Sequence, residues 1–478
     1  MMPLKVSWLV MAIGLASVRA SAADAGSWPM WRADAARSGA VSESVSKDLH
    51  LQWVREYPPP KDAWSSDPTL HFAPLYHPVA AEGSVFVPSM IGDFVQALDA
   101  DSGAVRWTAH AGGPVRFAPV YGQGKLYYAS DDGKLYCVDA KTGKSLWIFN
   151  GAPRERMVIG NDRLISTWAV RGGPVMKEGR IYFANGVWPF MGVFVYCLNA
   201  ETGEVVWVND GTLEDGAIRD SRVMHRPYEA CPGGYLTIAG DKLLLPAGRQ
   251  WPTCYDLKTG NRVLYKAEVP IVPEPEKVYG TSGGIVAAGD RWYFVGGVGR
   301  NKWSSLYDPV KGGVIALVSG IPVVDGNMTY ALCGNDLEAF DFAGKTFDKI
   351  HRPGAATGAS MYRPFPAVWK TQRLQASTFP VKIGSFLFTG SWIGRGKQGY
   401  GETRLSAIRI PAAGEQPEAV WQTTIEGADP VMMAAGGKLF VSTTSGDVMC
   451  FGDKAGEVRR WPLAAAQPAA PGSTPVIK

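Results

Sequence analysis

A short apolar strand pattern recurs along this chain and constrains its fold more than any other feature. Each copy follows a Gly or an Asp and is rich in aromatic and aliphatic side chains, which suits a half-buried strand. The mean interval between copies is about 51 residues, and no helical period persists between them, so the pattern is typical of β-propeller blades. The eight copies begin at Gly83, Gly124, Gly179, Asp241, Asp290, Gly326, Gly384 and Gly437.

A polar turn and a tryptophan accompany most copies of the strand. In the turn, an Asp or Asn can bond backbone groups and a Gly supplies positive φ. Trp107, Trp147 and Trp207 stand four residues after that Gly. Trp421 follows a longer turn, and Trp53 lies in an N-terminal strand pattern. We expect these five indoles to dock on the neighbouring blade.

The copies are not uniform. Copy four has Tyr265 where the Trp is expected, and copies five and six lack the Trp. The fifth copy is the poorest match in its turn region. The repeat is still predicted, because the strand and the turn recur together.

The predicted fold class is all-β, an eight-bladed β-propeller of four-stranded antiparallel blades over residues 49–462. Residues 49–57 are predicted to complete the last blade, which closes the ring and removes a sheet edge. Residues 458–461 are the alternative for that place. Residues 23–48 form an N-terminal segment, and the Ala- and Pro-rich residues 463–478 are expected to be a disordered tail.

Residues 1–22 have the pattern of a secretory signal peptide. Lys5 precedes the apolar run 6–16, and Ala20-Ser21-Ala22 supplies a small-residue cleavage site. The run is too short to span a bilayer as a helix. No cysteine occurs before Cys137 to accept a lipid. We therefore expect a soluble periplasmic or secreted protein that is not a lipoprotein.

The charge balance limits the kinds of partner. The formal net charge is +4, and charged residues make up 19% of the chain. Such near-neutrality gives no reason to expect nucleic acid as a partner. No later stretch is long and apolar enough to be a membrane helix. We expect a monomer that binds an unknown protein or a small anionic ligand.

Six cysteines occur, at positions 137, 197, 231, 254, 333 and 450. No two are adjacent, and none has the spacing of a zinc site, so no metal ligand is assigned. Four fall at the same strand position of different copies, which is too far apart for a disulfide. We expect those four to be small apolar core residues. Cys231 with Cys254 is the one candidate bridge.

The unit C-x-D-x-x-T-G-x-x-x-W at residues 137–147 resembles the tryptophan-docking repeat of PQQ-binding-like β-propeller proteins. This is the quinoprotein alcohol dehydrogenase-like superfamily. The start at Trp28 is similar to the first segment of such chains, and the resemblance covers about residues 28–462. Residues 163–175 and 187–203 are most similar to uncharacterised exported bacterial members. The superfamily includes PQQ-dependent alcohol dehydrogenases and a non-enzymatic propeller of outer-membrane assembly.

The resemblance implies where a cofactor would lie. In the dehydrogenases a quinone lies over the central channel, usually between a vicinal disulfide and a Trp, beside calcium and an Asp base. This chain has no adjacent cysteines, and no calcium ligands can be matched to it. No cofactor is therefore assigned, and PQQ with calcium is the cofactor that the resemblance implies.

Long connections are predicted to gather on one face of the ring. They join second to third strands and fourth to first strands, and loops on a rigid scaffold often carry binding sites. Arginines there could hold a carboxylate or phosphate by bidentate bonds, or they could brace the loops. His225 could equally be a structural hydrogen-bonding residue. The candidate ligand-binding residues at the channel mouth are Arg116, Arg171, His225, Arg226, Glu229, Arg363 and Asp429.

The sequence favours an exported binding or assembly platform that uses the long loops of one face. The alternative is a PQQ-dependent oxidoreductase of alcohols or sugars with its cofactor at the channel mouth. No catalytic residue is assigned. The G-x-S-x-G match around Ser282 lacks the strand before it and the helix after it that a nucleophile elbow needs.

Overall fold

The computed structural model describes residues 26–61, 63, 75–160, 162–187, 191–210, 232–247, 250–263, 285–289, 293–296, 303–307, 314–343, 366–394 and 401–463. These residues form β-strands and no α-helix, so the predicted all-β class is confirmed for them. None of them belongs to a helix that could cross a membrane. The predicted signal peptide 1–22 and residues 464–478 of the predicted tail lie outside the described residues.

The strands in chain order are β1 (Ala40–Val41), β2 (His50–Glu56), β3 (Val79–Ala81), β4 (Ser84–Ser89), β5 (Phe94–Asp99), β6 (Val105–His110), β7 (Val120–Gly122), β8 (Lys125–Ala129), β9 (Lys134–Asp139), β10 (Ser145–Asn150), β11 (Met157–Gly160), β12 (Arg163–Ser166), β13 (Val170–Lys177), β14 (Arg180–Asn185), β15 (Phe194–Asn199), β16 (Val205–Asn209), β17 (Gly234–Tyr235), β18 (Thr237–Ala239), β19 (Lys242–Ala247), β20 (Gln250–Asp256), β21 (Ile285–Ala288), β22 (Tyr293–Gly296), β23 (Trp303–Tyr307), β24 (Val314–Asp325), β25 (Met328–Cys333), β26 (Asp336–Asp341), β27 (Trp369–Lys370), β28 (Val381–Ile383), β29 (Phe386–Gly394), β30 (Glu402–Arg409), β31 (Glu418–Glu426), β32 (Val431–Ala435), β33 (Lys438–Ser442), β34 (Asp447–Gly452) and β35 (Arg459–Trp461).

Seven sheets of described residues form the propeller, so the expected count of eight separate blades is wrong. The sheets are numbered along the chain, and the hairpin β11–β12 stands apart from them. They are sheet 1 (β3–β6), sheet 2 (β7–β10), sheet 3 (β13–β16 with β17), sheet 4 (β18–β20), sheet 5 (β21–β27), sheet 6 (β28–β31 with β1) and sheet 7 (β32–β34 with β2 and β35).

Sheet 5 contains both the fifth and the sixth copy of the repeat, which explains the lower count. Strand β24 is 12 residues long and is shared, because its first half pairs with β23 and its second half with β25. The register with β25 shifts between Ser319 and Val323, a stretch that contains Gly320 at φ +69°. The two copies therefore continue through one strand instead of separating at a turn.

The core lies between neighbouring sheets. Every residue of β4 is buried, whereas most of the outer strand β10 is exposed. One buried cluster joins Val85 of sheet 1, Leu405 of sheet 6 and Val441 of sheet 7. Apolar inner strands and more polar outer strands are what radial packing of amphipathic sheets requires.

The N-terminal strand β2 lies in the last sheet. It pairs antiparallel with β34, and Trp53 faces Cys450. Strand β35, which contains the alternative residues 459–461, pairs parallel with the other edge of β2. Both candidate segments therefore belong to sheet 7. The N-terminal strand β2 lies between β34 and β35, and the C-terminal strand β35 is the edge strand.

Docking tryptophans pack on the turn glycine of the following sheet. An added Cβ would lie 2.7 Å from the Trp53 ring at Gly103 and 2.7 Å from the Trp107 ring at Gly143, so glycine alone permits this approach. The Trp53 indole N–H also donates to the Ala100 carbonyl at 3.1 Å. The same kind of bond joins Trp107 to Ala140, Trp207 to Leu257 and Trp421 to Leu49.

Two tryptophans differ from this arrangement. The buried indole N–H of Trp147 has no hydrogen-bond partner, although its ring packs near Gly203. Trp369 in β27 faces Ala339, so the expectation that the sixth copy lacks this Trp is wrong. Trp369 was missed because it follows its cross-strand partner by 369 − 339 = 30 residues instead of about ten as in sheet 1. Tyr265 of the fourth copy lies outside the described residues.

The N-terminal segment contacts the inner strands of all seven sheets. Arg37 reaches sheet 3 by donating to the Pro174 carbonyl at 2.8 Å, and Glu43 accepts the backbone N–H of Gly437 beside sheet 7. These contacts lie where inner strands approach their hairpins, on the face opposite the long loops. Sheets 1, 2, 4, 5 and 6 are joined to it by the backbone pairs Trp28–Ala80, Pro29–Tyr121, Ala35–Ile238, Ala36–Ala288, Ser38–Val324 and Gly39–Lys382.

Candidate functional site on the loop face

Arg116 and Arg171 share one buried carboxylate, that of Asp131. Arg116 Nε donates to Asp131 Oδ2 at 2.7 Å, and a terminal nitrogen of the same guanidinium donates to the Lys61 carbonyl at 3.1 Å. Arg171 binds both carboxylate oxygens, with 3.2 Å between its second terminal nitrogen and Oδ2. No side chain of the three is more than 4% exposed. Each arginine therefore already binds an acid of the protein itself, as the bracing alternative requires.

Electrostatics keep this carboxylate ionised. Burial alone would raise the pKa of Asp131, but the adjacent Arg171 and Arg116 guanidiniums outweigh burial and hold its pKa below the usual range. A carboxylate with a low pKa is a poor proton acceptor near neutral pH. The chemistry of this cluster is consequently that of a fixed ionic brace rather than a general base.

The hairpin β11–β12 is anchored to the brace and was not predicted from the sequence. The backbone N–H of Ser166 donates to the Asp131 carbonyl at 2.7 Å. Arg163 forms an ion pair with Asp93 and donates to the Ile91 carbonyl at 3.1 Å. The hairpin is thus held by the loop of sheet 1 and the loop of sheet 2 together.

The other side of the hairpin exposes apolar side chains. Ile159 is 84% exposed and its cross-strand partner Leu164 is 58% exposed, and Met157 on the same face is also exposed. Among the described residues, β11 and β12 pair only with each other. An isolated two-stranded hairpin is marginally stable in water, and its open edges are templates for another strand. This element is therefore suited to contact with another chain.

An aromatic cluster with a histidine lies at the axis. The Trp31 and Tyr235 rings stack with centroids 4.3 Å apart, and the Tyr235 hydroxyl lies 2.6 Å from His77 Nδ1. Burial lowers the pKa of His77 to about 4, so its imidazole is neutral at pH 7. Nothing in the repeat pattern marked His77, which precedes the first inner strand.

Of the remaining predicted site residues, Asp429 alone lies within the described ranges. Asp429 precedes β32 with φ +44°, and it is not among the residues bound by Arg116 or Arg171. The other candidates, His225, Arg226, Glu229 and Arg363, lie outside the described residues. Their placement at the channel mouth stays a prediction.

Comparison with known proteins gives the family. The PQQ-like family model described as outer membrane protein assembly factor BamB matches residues 17–166 and 162–462. The chain belongs to this PQQ-like propeller family. The predicted resemblance is therefore confirmed, and it extends over most of the sequence.

Curated relatives of this PQQ-like propeller match it over limited stretches. The dehydrogenase subunit of alcohol dehydrogenase (quinone) from Gluconacetobacter polyoxogenes is 30% identical over 38% of this chain and 26% of its own length. Tetrathionate hydrolase from Acidithiobacillus ferrooxidans is 29% identical over 24% of this chain and 19% of its own length. The chain thus spans about a quarter, or less, of the length of these relatives.

Solved structures share the fold of this PQQ-like propeller at low identity. Quinohemoprotein alcohol dehydrogenase from Comamonas testosteroni aligns with a TM-score of 0.52 and 15% identity, covering 91% of this chain and 82% of that one. A europium-containing methanol dehydrogenase aligns with a TM-score of 0.54 and 13% identity, covering 90% and 98%. At these identities the likeness shows the fold alone.

Ligands for a metal ion of the kind used by quinone-dependent relatives are not found among the described residues of this PQQ-like propeller. No group of three or more His, Cys, Asp or Glu side chains in the described ranges could hold a metal ion. Cys137, Cys197 and Cys450 are buried free thiols in separate sheets, and burial raises the pKa of Cys137 to about 12. The candidate Cys231–Cys254 bridge is not tested, because Cys231 lies outside the described residues.

Proposed function

We propose that this chain is an exported, non-enzymatic platform that holds a partner protein on its loop face. The observation that carries the proposal is the anchored hairpin β11–β12, whose exposed apolar side chains and unpaired edges are suited to a protein contact. The signal-peptide pattern of residues 1–22 supports export. The family description as an outer membrane assembly factor is consistent with such a role.

A rigid ring is part of this proposal. We propose that the pairing of β2 with β34 closes the propeller, because a closed scaffold fixes the relative positions of its loops. The brace at Asp131 then determines the height and direction of the hairpin. A fixed hairpin loses little conformational entropy when a partner binds, which favours affinity.

The platform proposal is tested by photo-crosslinking in the native host. A photoreactive residue replaces Ile159, and a matched control replaces Lys141, which is exposed in a turn of the opposite face. We expect one discrete protein adduct from position 159 that is absent from position 141. Leu164→Asp should abolish that adduct without lowering the melting temperature, because Leu164 is exposed. Identical adducts from both positions, or none from position 159, would contradict the proposal.

The alternative function is a PQQ-dependent oxidoreductase of alcohols or sugars. It is favoured by the 30% identity to the quinone-dependent alcohol dehydrogenase subunit. The decisive measurement is the absorbance of added PQQ with calcium or a lanthanide, followed by dye reduction with a panel of alcohols and sugars. Saturable PQQ binding with substrate turnover would establish the enzyme and overturn the platform proposal.

A further inference from the structure

The last sheet of the propeller carries an extra strand on its outer edge. Sheets 1 and 2 end at their fourth strands, β6 and β10, whereas sheet 7 continues beyond its fourth strand β2 to β35. Strand β35 pairs parallel with β2 over three residues, from Arg459 opposite Trp53 to Trp461 opposite Arg55. The Trp461 indole N–H donates to the Ser102 carbonyl at 3.0 Å, in a turn of sheet 1. The outer edge of a blade in this propeller therefore accepts one more short strand.

Strand β10 has the same local geometry as β2. Both strands have a register shift immediately before the docking tryptophan, between Leu51 and Trp53 in β2 and between Ser145 and Trp147 in β10. Each of these tryptophans then packs on the turn glycine of the next sheet. The pairing of β35 begins after the shift, at Trp53. The corresponding stretch of β10 is residues 147–149, and among the described residues no strand pairs with its outer edge.

The side chains of β10 favour an apolar strand as the occupant of this edge. Leu146 is 46% exposed and Ile148 is 54% exposed. Strand β10 contains no charged residue, whereas the equivalent strand β6 carries Arg106, and β31 begins and ends with a glutamate. Charged side chains on an edge strand oppose pairing with another chain, and exposed apolar side chains favour it. The edge of β10 lacks the protection that β6 and β31 have.

We propose that the outer edge of β10 binds an extended apolar segment of another protein as a fifth, parallel strand. Main-chain hydrogen bonds supply the affinity of such an added strand, and its side chains supply the specificity. Apolar side chains of the segment lie beside Ile148. The edge belongs to the rim of the propeller, so this site does not depend on the hairpin β11–β12 or on the partner proposed for it.

The register of sheet 7 specifies one side chain of the bound segment. Phe149 follows its docking tryptophan by two residues, as Arg55 does, so the residue opposite Phe149 corresponds to Trp461. Thr202 precedes the turn glycine of sheet 3, as Ser102 precedes that of sheet 1. A tryptophan opposite Phe149 therefore donates its indole N–H to the Thr202 carbonyl.

Titration calorimetry with the full chain and synthetic peptides tests this site. The probe is the peptide KTVVWTK with acetyl and amide ends, in which the lysines maintain solubility. One comparison peptide has alanine in place of the tryptophan, and another has every backbone amide N-methylated. We expect saturable binding of the probe, about tenfold weaker binding of the alanine peptide and none of the N-methylated one. No saturable binding of the probe up to about 1 mM, or equal binding of either comparison peptide, would overturn the proposal.

A matched pair of substitutions locates the binding. Ile148→Lys should abolish binding of the probe and leave the melting temperature unchanged, because Ile148 is exposed. Thr108→Lys is the control, since it places the same charge on β6, also one residue after the docking tryptophan, and it should leave binding unchanged. Probe binding that persists in Ile148→Lys, or that both variants weaken equally, would refute the site.

Sedimentation of the chain without peptide examines a second copy as the occupant. We expect the same sedimentation for the wild type and for Ile148→Lys. A dimer that Ile148→Lys dissociates would show that the edge of β10 pairs with another copy of this chain, and it would overturn the proposal of a foreign segment.

Discussion

Buried arginines donate hydrogen bonds to backbone carbonyls in the interior of this propeller. Arg37 is fully buried and donates to the carbonyls of Trp31, Pro174 and Leu236 at 2.8–3.0 Å. Burial lowers its pKa to about 10, so the guanidinium remains charged at neutral pH. The carbonyl oxygens replace the water that such a charge would otherwise need, and the planar fork of arginine allows three directions at once.

At the residue scale, His77 should make the stability depend on pH. Its folded pKa of about 4 lies below the ordinary 6.5, so between these values the unfolded chain binds a proton that the folded chain does not. The free energy of unfolding should therefore fall by about 3 kcal/mol as the pH drops through this window. Urea unfolding at several pH values measures this.

The control separates His77 from other titrating groups. His77→Gln should remove this part of the pH dependence, whereas substitution of the exposed His110 should keep it. The same slope in wild type and in His77→Gln would show that His77 is protonated in the folded protein.

Candidate site residues were only partly predictable. Arg116 and Arg171 could be proposed because Arg116 precedes the inner strand β7 and Arg171 lies at the start of the inner strand β13, where a propeller brings its loops together. Their shared acid, Asp131, lies in a short connection that looks like any polar turn, so one-dimensional spacing could not pair it with them. The apolar run that contains Ile159 was the one signal for the hairpin, and it was concealed within a long connection.

At the element scale, the turn glycine and the docking tryptophan act as one unit. The glycine has positive φ, and its missing Cβ leaves room for the indole of the preceding sheet. Both requirements fall on one residue, which explains why the turn and the Trp recur together. Neighbouring sheets are therefore joined by local sequence that repeats at each interface.

Gly143→Ala and Gly124→Ala separate the two requirements. Both glycines have φ near +73°, but a Cβ at Gly143 lies 2.7 Å from Trp107 and a Cβ at Gly124 meets nothing within 4 Å. Both variants should lose about 1 kcal/mol to backbone strain. Gly143→Ala should lose about 1–3 kcal/mol more because Trp107 must move. Denaturant unfolding compares them, and equal losses would mean that the indole does not pack there.

The positions of the strands were more predictable than their grouping into sheets. The strands and turns of each copy are encoded by local alternation and turn residues, so the all-β class followed from the sequence. Whether β24 ends one blade or continues into the next depends on a bend around Gly320, which has no distinctive local signal. A long connection precedes Trp369, so its distance in sequence from its cross-strand partner differs from that in the other copies. A search at fixed spacing could not find it.

At the scale of the whole molecule, the N-terminal segment links all seven sheets. Its backbone bonds reach five sheets, and Arg37 and Glu43 reach the other two. Sheets that contact only their neighbours can open separately, as in repeat arrays. A segment common to all of them should make unfolding cooperative.

Arg37→Met tests this link. The change leaves three buried carbonyls without their donor, so we expect a loss of at least about 3 kcal/mol in a single transition. Near-ultraviolet circular dichroism and tryptophan fluorescence should report the same midpoint during urea unfolding. Arg409→Met, at an exposed ion pair, is the control and should change stability by less than about 1 kcal/mol. Separate midpoints for the two probes in the wild type would show that the sheets unfold independently.

Residues 28–39 make the two ends of the propeller different, because they cover the inner strands at one end only. A ring open at both ends is a tunnel, through which a solute could pass from one side to the other. With these residues bonded to the inner strands beside the hairpins, this end of the described propeller is covered, so a ligand would approach the axis from the loop face.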